Sequence, residues 1–137
     1  MVKILVIGSG AREHAIIKSL NKSKKEKEIY CLASNNNPGI SDICNELKIV
    51  DINNSEIIKD YSIKQSINIA IIGPENPLAH GVADSLWEAG IGVVGPKKNL
   101  AQIETSKSFT RNLLREYKIP GCPKFKTFAN MEGVEDF

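Results

Sequence analysis

Short apolar runs in this chain alternate with longer segments of helical spacing. Val2–Ile7 is a nearly continuous Val/Ile/Leu run, the pattern of a strand covered on both faces. Gly8-Ser9-Gly10 breaks it, and a helix is predicted from about Ala11 to Asn21 with Ala15, Ile16 and Leu20 toward the core. The lysines of the 22–27 segment suit the solvated, negative end of that helix dipole. Ile29–Ala33 predicts a second strand, followed by the turn-rich 34–39 loop. Leu47–Val50 predicts a short third strand ending at Asp51, and Asn54–Lys64 a helix with Ile57, Ile58 and Tyr61 on one face. Ile67–Ile72 predicts the fourth strand, and Gly73-Pro74-Glu75-Asn76-Pro77 a rigid loop at its carboxyl end. Leu78–Ala89 predicts a helix with Leu78, Val82 and Leu86 in one stripe, and Gly92–Val94 a fifth strand closed by Gly95-Pro96.

This alternation predicts an α/β fold, a Rossmann-like parallel sheet with helices on both faces. Ligands of such folds sit beyond the carboxyl ends of the strands. Four loops therefore share the functional rim: Gly8–Gly10, Asn35–Gly39, Gly73–Pro77 and Gly95-Pro96. The character changes after Pro96. Helices are predicted over Asn99–Glu104 and Ser106–Tyr117, the second with a stripe of Phe109, Leu113, Leu114 and Tyr117. Pro120-Gly121 stops it; Lys124–Phe128 reads as a strand and Met131–Phe137 as the opening of a helix. The expected organisation is a domain over residues 1–99 and the beginning of a second over 100–137.

Composition narrows the function classes. Over 137 residues, 18 Lys+Arg against 16 Asp+Glu give a net charge of +2, which removes a strongly basic nucleic-acid binder. A hydrophobic fraction of 42% supports a packed core. Apolar stretches such as Ile4–Ile7 and Ile69–Ile72 are four residues long, far from the roughly 20 that span a membrane, and no signal-peptide pattern is present at the N-terminus. Neither nucleic acid nor membrane is expected as a partner. Cys31, Cys44 and Cys122 are odd in number and scattered, which reads as reduced thiols of a cytoplasmic protein. With only His14 and His80 besides, no metal-ligand spacing appears.

The candidate chemistry lies on the rim. A glycine loop between a buried strand and a helix N-terminus can cradle a phosphate or pyrophosphate. Against a nicotinamide or flavin cofactor, Glu13 fills the third position of GxGxxG, and the second strand ends in Leu32-Ala33-Ser34 without the acid that would hold a ribose. Arg12 could pair with a phosphate or carboxylate, whereas His14 alone reads best as a packing histidine. Glu75, held between Pro74 and Pro77, suits either a ligand amine or sugar hydroxyls, or the N-terminus of the next helix. Lys107 sits in a first helical turn, where the dipole disfavours a cation, and this hints at a phosphate.

These residues carry a resemblance. VIGSGAREHAI (6–16), Asn37-Pro38-Gly39, IIGPENPLAHGVAD (71–84), VGP (94–96) and QIETSKSFTRNLL (102–114) are similar, in order and spacing, to the phosphoribosylamine–glycine ligase family of the ATP-grasp ligases. The resemblance implies a pre-ATP-grasp domain followed by the start of an ATP-grasp domain. It implies an ATP-dependent carbon–nitrogen ligase of purine biosynthesis that joins glycine to 5-phosphoribosylamine through a glycyl phosphate, with ATP and Mg2+ or Mn2+. Gly8, Ser9, Gly10, Arg12, Glu13 and His14, the Asn37 and Gly39 turn, and Gly73, Pro74 and Glu75 would face the phosphoribosylamine; Lys107 would meet the ATP phosphates. Ala11, Thr105 and Arg111 stand where the family has Gly, Gly and Lys. The resemblance places the catalytic subdomains beyond Phe137, so no catalytic group, metal site or complete ATP site is expected within these residues. Related enzymes imply that the Gly8 loop touches the sugar and amine end of the substrate, whereas helix-terminus physics alone implies phosphate. The competing readings are a dinucleotide-binding oxidoreductase domain and a non-catalytic metabolite-binding module.

Overall fold

The computed structural model describes residues 1–137. In chain order the elements are β1 (Val2–Ile7), α1 (Ala11–Asn21), β2 (Lys27–Ala33), α2 (Pro38–Ser41), β3 (Glu46–Ile49), α3 (Ser55–Lys64), β4 (Ile69–Ile72), α4 (Glu75–Ala79), α5 (Val82–Glu88), β5 (Gly92–Val94), α6 (Lys98–Thr105) and α7 (Lys107–Glu116). The five strands form one parallel sheet in the order β3-β2-β1-β4-β5. The order reverses at β1, whose two neighbours are β2 and β4, so the crevice of this topology opens between the β1 and β4 carboxyl ends.

Alternate residues of β1, β2 and β4 feed two cores. Leu5 and Ile7 of β1, Leu32 of β2 and Ile72 of β4 pack with Ile58 of α3 and with Val82 and Leu86 of α5. Val6 and Cys31 face the other way and pack with Ile17 of α1 and Ile40 of α2. Leu5, Ile7, Ile17, Leu32, Ile58 and Leu86 are completely buried, each stabilising the fold by about 1.5–3 kcal/mol through loss of apolar surface to water. Burial on both faces explains why the strands read as continuous apolar runs rather than alternations.

The helices differ from the sequence pattern in phase and in number. In α1 it is Ile17, four residues after buried Glu13, that is fully buried; Ile16 and Leu20 are half-buried and Ala15 is exposed. Ile58 and Tyr61 of α3 are buried, but Ile57 is 42% exposed on the flank. The single helix expected over 78–89 is two helices. Gly81 at φ +80° breaks the backbone between α4 and α5, yet Leu78, Val82 and Leu86 still share the core. Helix α2 lies inside the expected loop, with Asn37 accepting from the Ile40 amide and Pro38 at the first helical position.

Two compact units make up the chain, Met1–Ala101 and Gln102–Phe137. In the second, Ser106 caps α7 by accepting from the Phe109 amide, and Thr110 Oγ1 donates to the Ile103 carbonyl. The strand expected at 124–128 and the helix expected at 131–137 are absent. No strand lies beside the former; Phe125 instead takes the Arg115 guanidinium over its ring at 5.1 Å, and Phe128 takes Lys126 at 4.7 Å. Gly133 at φ +73° interrupts the latter. No helix is long and apolar enough to cross a membrane.

The buried thiol gives a direct check on this packing. Burial pushes the Cys31 thiol up to about 12, and Cys44 upward less far, while Tyr61, buried and donating to Glu46 at 2.9 Å, is also raised. A thiol or phenol held neutral in the fold but free to ionise when unfolded favours folding below its unfolded value. That contribution is lost as pH rises, so unfolding free energy measured in urea should fall progressively between about pH 9 and pH 12. At neutral pH a thiol reagent should modify Cys44 and Cys122 in the native chain and reach Cys31 only on unfolding; rapid native labelling of Cys31 would contradict the described core.

Candidate functional site

The crevice is built by a carboxylate held between two glycine loops. Glu13, at the third position of α1, is only 5% exposed. Its Oε2 accepts from the Gly10 amide at 2.6 Å, the carboxylate half of a capping box whose other half Gly10 has no side chain to supply. A Cβ on Gly73 would lie 2.0 Å from Glu13 Oε1, and one on Gly8 would lie 2.8 Å from Glu13 Cδ and 2.9 Å from Pro74 Cδ. The two glycines are the space that the Glu13 side chain fills. Gly8, at φ +122°, also needs the left-handed freedom that other residues rarely have.

Backbone and side-chain bonds fix the same junction from outside. Gly8 donates to the Leu32 carbonyl at 2.9 Å and Gly73 to the Ile7 carbonyl at 3.1 Å, extending the β1–β2 and β1–β4 ladders into the loops. Arg12 Nη1 donates to the Gly73 carbonyl, so both members of the Arg12-Glu13 pair reach across to the β4 loop. Asn37 Nδ2 donates to the Ser9 carbonyl at 2.9 Å, and Ser9 and Ser34 hydroxyls pair at 3.3 Å.

Over this junction lies a cleft of about 390 Å3. Gly8, Ser9, Gly10, Glu13 and Pro74 line it, joined by Ser34, Asp51, Ile52, Asn53 and Asn76. No lysine or arginine is among these residues. A smaller pocket of about 270 Å3 adjoins it, sharing Gly10, Glu13 and Pro74 and adding Ala11, Arg12 and Glu75. Glu75 is the first residue of α4; its carboxylate is exposed and makes no hydrogen bond or ion pair. A helix of five residues has little dipole to reward it, which moves the balance toward a ligand and away from capping.

The structure thus gathers Gly8, Ser9, Gly10, Arg12, Glu13, Gly73, Pro74 and Glu75 around one junction. His14, Asn37 and Gly39 stand behind it. The His14 ring packs against Gly39, where a Cβ would come within 2.4 Å of Cε1, and Asn37 braces the Ser9 backbone. Ser34, Asp51, Asn53 and Asn76 are the lining residues that sequence reasoning left out. The same rim rule, applied to the end of the third strand, points to Asp51 and Asn53, because every strand of a parallel sheet ends on that rim.

Lys107 belongs to the second unit. It is the first residue of α7, exposed, and lines a groove of about 410 Å3 with Arg111 and Lys126, above the rings of Phe125 and Phe128. Three cations around one groove suit an anionic group. No three His, Cys, Asp or Glu side chains converge on a metal-sized site.

The dinucleotide alternative meets an obstacle here. In that geometry the pyrophosphate oxygens take up the amides at the helix N-terminus. In this chain the Glu13 carboxylate already takes the Gly10 amide and adds a negative charge beneath the loop.

Glu13 and Gly73 should therefore behave as one unit. Gly73→Ala forces Glu13 out of its place and should cost about 1–3 kcal/mol, as overpacking does. Once Glu13→Ala has emptied the space, the same glycine substitution should cost far less. Urea denaturation of the wild type, both single variants and the double variant is expected to show a coupling of about 0.5–3 kcal/mol; additivity to within about 0.5 kcal/mol would refute the interlock.

Comparisons with known proteins bear on the fold and the family. The family model "Phosphoribosylglycinamide synthetase, N domain" matches residues 2–104. A phosphoribosylamine–glycine ligase of Methanosarcina barkeri is 45% identical over 136 residues, 99% of this chain and 31% of that protein. The chain therefore spans about a third of the length of the curated relatives it matches. Among solved structures, N5-carboxyaminoimidazole ribonucleotide synthetase from Thermotoga maritima aligns over 100% of this chain and 36% of its own, with TM-score 0.72 and 20% identity. Phosphoribosylglycinamide synthetase from Anaerococcus prevotii aligns over 98% and 33%, with TM-score 0.65 and 14% identity. N5-carboxyaminoimidazole synthetase from Staphylococcus aureus, solved as an ADP complex, aligns over 84% and 30%, with TM-score 0.65 and 13% identity. At these identities the structures establish the fold, a five-stranded parallel sheet flanked by helices. The family follows from the model match across most of the chain: this protein belongs to the phosphoribosylglycinamide synthetase N-domain family.

Proposed function

We propose that this chain is the substrate-side, N-terminal portion of an ATP-dependent phosphoribosylamine–glycine ligase of purine biosynthesis acting in the cytoplasm. In the proposed reaction a glycine carboxylate oxygen attacks the γ-phosphate of ATP, giving glycyl phosphate and ADP. The amine of 5-phosphoribosylamine then attacks the acyl carbon, and phosphate leaves with the electron pair of the broken C–O bond. This chain's share is to hold the amine and sugar end of the second substrate.

The observation that carries the reading is the cleft at the Gly8–Gly10 and Gly73–Glu75 junction, lined by hydroxyls, amides and carboxylates and by no cation. Such a lining favours a ligand that brings hydrogen-bond donors rather than a phosphate. This supports the orientation in which the sugar and amine face the glycine loop. Glu75, exposed and unpaired beside the cleft, is a suitable acceptor for the amine. The Lys107 groove supports contact with the ATP phosphates. The residues present do not fit Mg2+, since no carboxylate cluster is assembled; the ion would be held by groups outside this chain. The same absence of metal ligands, with only part of a nucleotide groove, leads to the expectation that the 137-residue chain alone releases no ADP in the presence of glycine and phosphoribosylamine.

The test is Glu75→Gln in a ligase that carries this domain together with its catalytic remainder. Losing charge-assisted bonds of about 1.5–3 kcal/mol should lower kcat/KM for phosphoribosylamine about tenfold or more. The KM for ATP and the melting temperature should stay close to wild type. A lowered melting temperature with unchanged kinetics would instead make Glu75 a helix-capping residue.

A further inference from the structure

One wall of the cleft comes from a loop that the recurring glycine motifs do not touch. Asp51, Ile52 and Asn53 connect β3 to α3, and all three reach the cleft. Ile52 is buried in the core shared with α3 and α5, which anchors the loop. Asp51 Oδ1 accepts from the Asn53 backbone N–H at 3.0 Å, which ties the Asp51 side chain to the loop backbone. The rest of the Asp51 carboxylate is exposed. Asn53 Oδ1 is buried and has no hydrogen-bond partner. A buried acceptor lacking a donor is uncommon in native proteins and calls for an explanation.

A donor supplied by a ligand explains it. Asp51 is an acceptor only when ionised, and the orphan atom of Asn53 is an acceptor as well. The same cleft is lined by Ser9 and Ser34, whose paired hydroxyls can each donate or accept. Acceptors and adaptable hydroxyls lining one cleft complement neighbouring hydroxyl groups on a single ring. An ammonium would be met by one carboxylate and would leave this division of roles unused.

We infer that Asp51 and Asn53 are specificity-determining residues that bind the ring hydroxyls of the ribosyl substrate, with Asn53 Oδ1 accepting one hydroxyl proton and Asp51 another. The inference rests on the reading of the cleft as the sugar and amine site. It adds that selection among sugars is made from the β3 side, at a distance in sequence from both glycine loops. A substrate lacking one of these hydroxyls would leave the orphan acceptor buried and unpaired, a large penalty for a small chemical change.

The experiment uses the 137-residue chain, 15N-labelled and followed by amide chemical shifts. The probes are ribose 5-phosphate, 2-deoxyribose 5-phosphate, glycine and inorganic phosphate. Ribose 5-phosphate is expected to shift the amides of Ser9, Asp51 and Asn53, and glycine and inorganic phosphate to leave them in place. Asp51→Asn and Asn53→Ala should each weaken ribose 5-phosphate binding about tenfold while leaving the remaining spectrum folded, and one of the two should erase the preference over the deoxy sugar. Equal affinity of wild type and both variants for ribose 5-phosphate overturns this inference alone. Shifts at Asp51 and Asn53 with glycine or inorganic phosphate overturn the assignment to hydroxyls. No shift at Ser9, Asp51 or Asn53 with millimolar ribose 5-phosphate overturns both this inference and the substrate reading on which it rests.

Discussion

A charged side chain buried at the seam of two loops governs how the rest of this domain is arranged. The Glu13 carboxylate needs a hydrogen-bond donor to leave water, and the Gly10 amide provides it at the positive end of α1. It needs room as well, which the missing side chains of Gly8 and Gly73 provide from two different strands. The demand therefore couples the β1 loop to the β4 loop, the two that flank the reversal of strand order. Arg12 adds a second crossing by donating to the Gly73 carbonyl. One local sequence, Gly-Ser-Gly-Ala-Arg-Glu-His, in this way determines the position of Gly73-Pro74-Glu75, more than sixty residues away.

The consequence for chemistry is electrostatic. A bare glycine loop at a helix N-terminus attracts anions, and the same loop with a carboxylate tucked beneath it does not. The cleft above is lined with acceptors and hydroxyls, whereas the cations of the chain's other groove, Lys107, Arg111 and Lys126, lie in the second unit. The division is the one the proposed function requires: donors of the substrate at the first unit, phosphates of the nucleotide at the second. It also separates this domain chemically from the dinucleotide-binding folds that it resembles in topology.

The sheet was legible because its signal is strong and local. Five apolar runs, each ended by glycine, serine or aspartate, mark the strands, and the rim rule turns their ends into a site. Element phase and breaks were less legible. Ala15 and Ile57 look as apolar as their neighbours, and only tertiary packing decides that Ile17 and Ile58 turn inward. Gly81 reads as a tolerated helix glycine until its positive φ is seen. The pairing of Phe125 and Phe128 with the cations Arg115 and Lys126, in place of a strand, carries no signature in the hydrophobic pattern. At the site, the glycine loops stood out through composition and family resemblance, while Asp51 and Asn53 did not. A single acid and a single amide at a strand end carry no pattern; their meaning comes from the cleft on which they converge.

Hydrogen exchange at individual amides tests the central claim, that Glu13 holds the two loops as one structure. In the wild-type chain the Gly10 amide, donating to Glu13, should be protected, as should the Gly73 amide, donating to Ile7. In Glu13→Gln the account predicts faster exchange at Gly10 that spreads to Gly73 on the other loop, with the strand amides unchanged. Acceleration confined to Gly10 would show that the β4 loop keeps its place without Glu13, and would contradict the account.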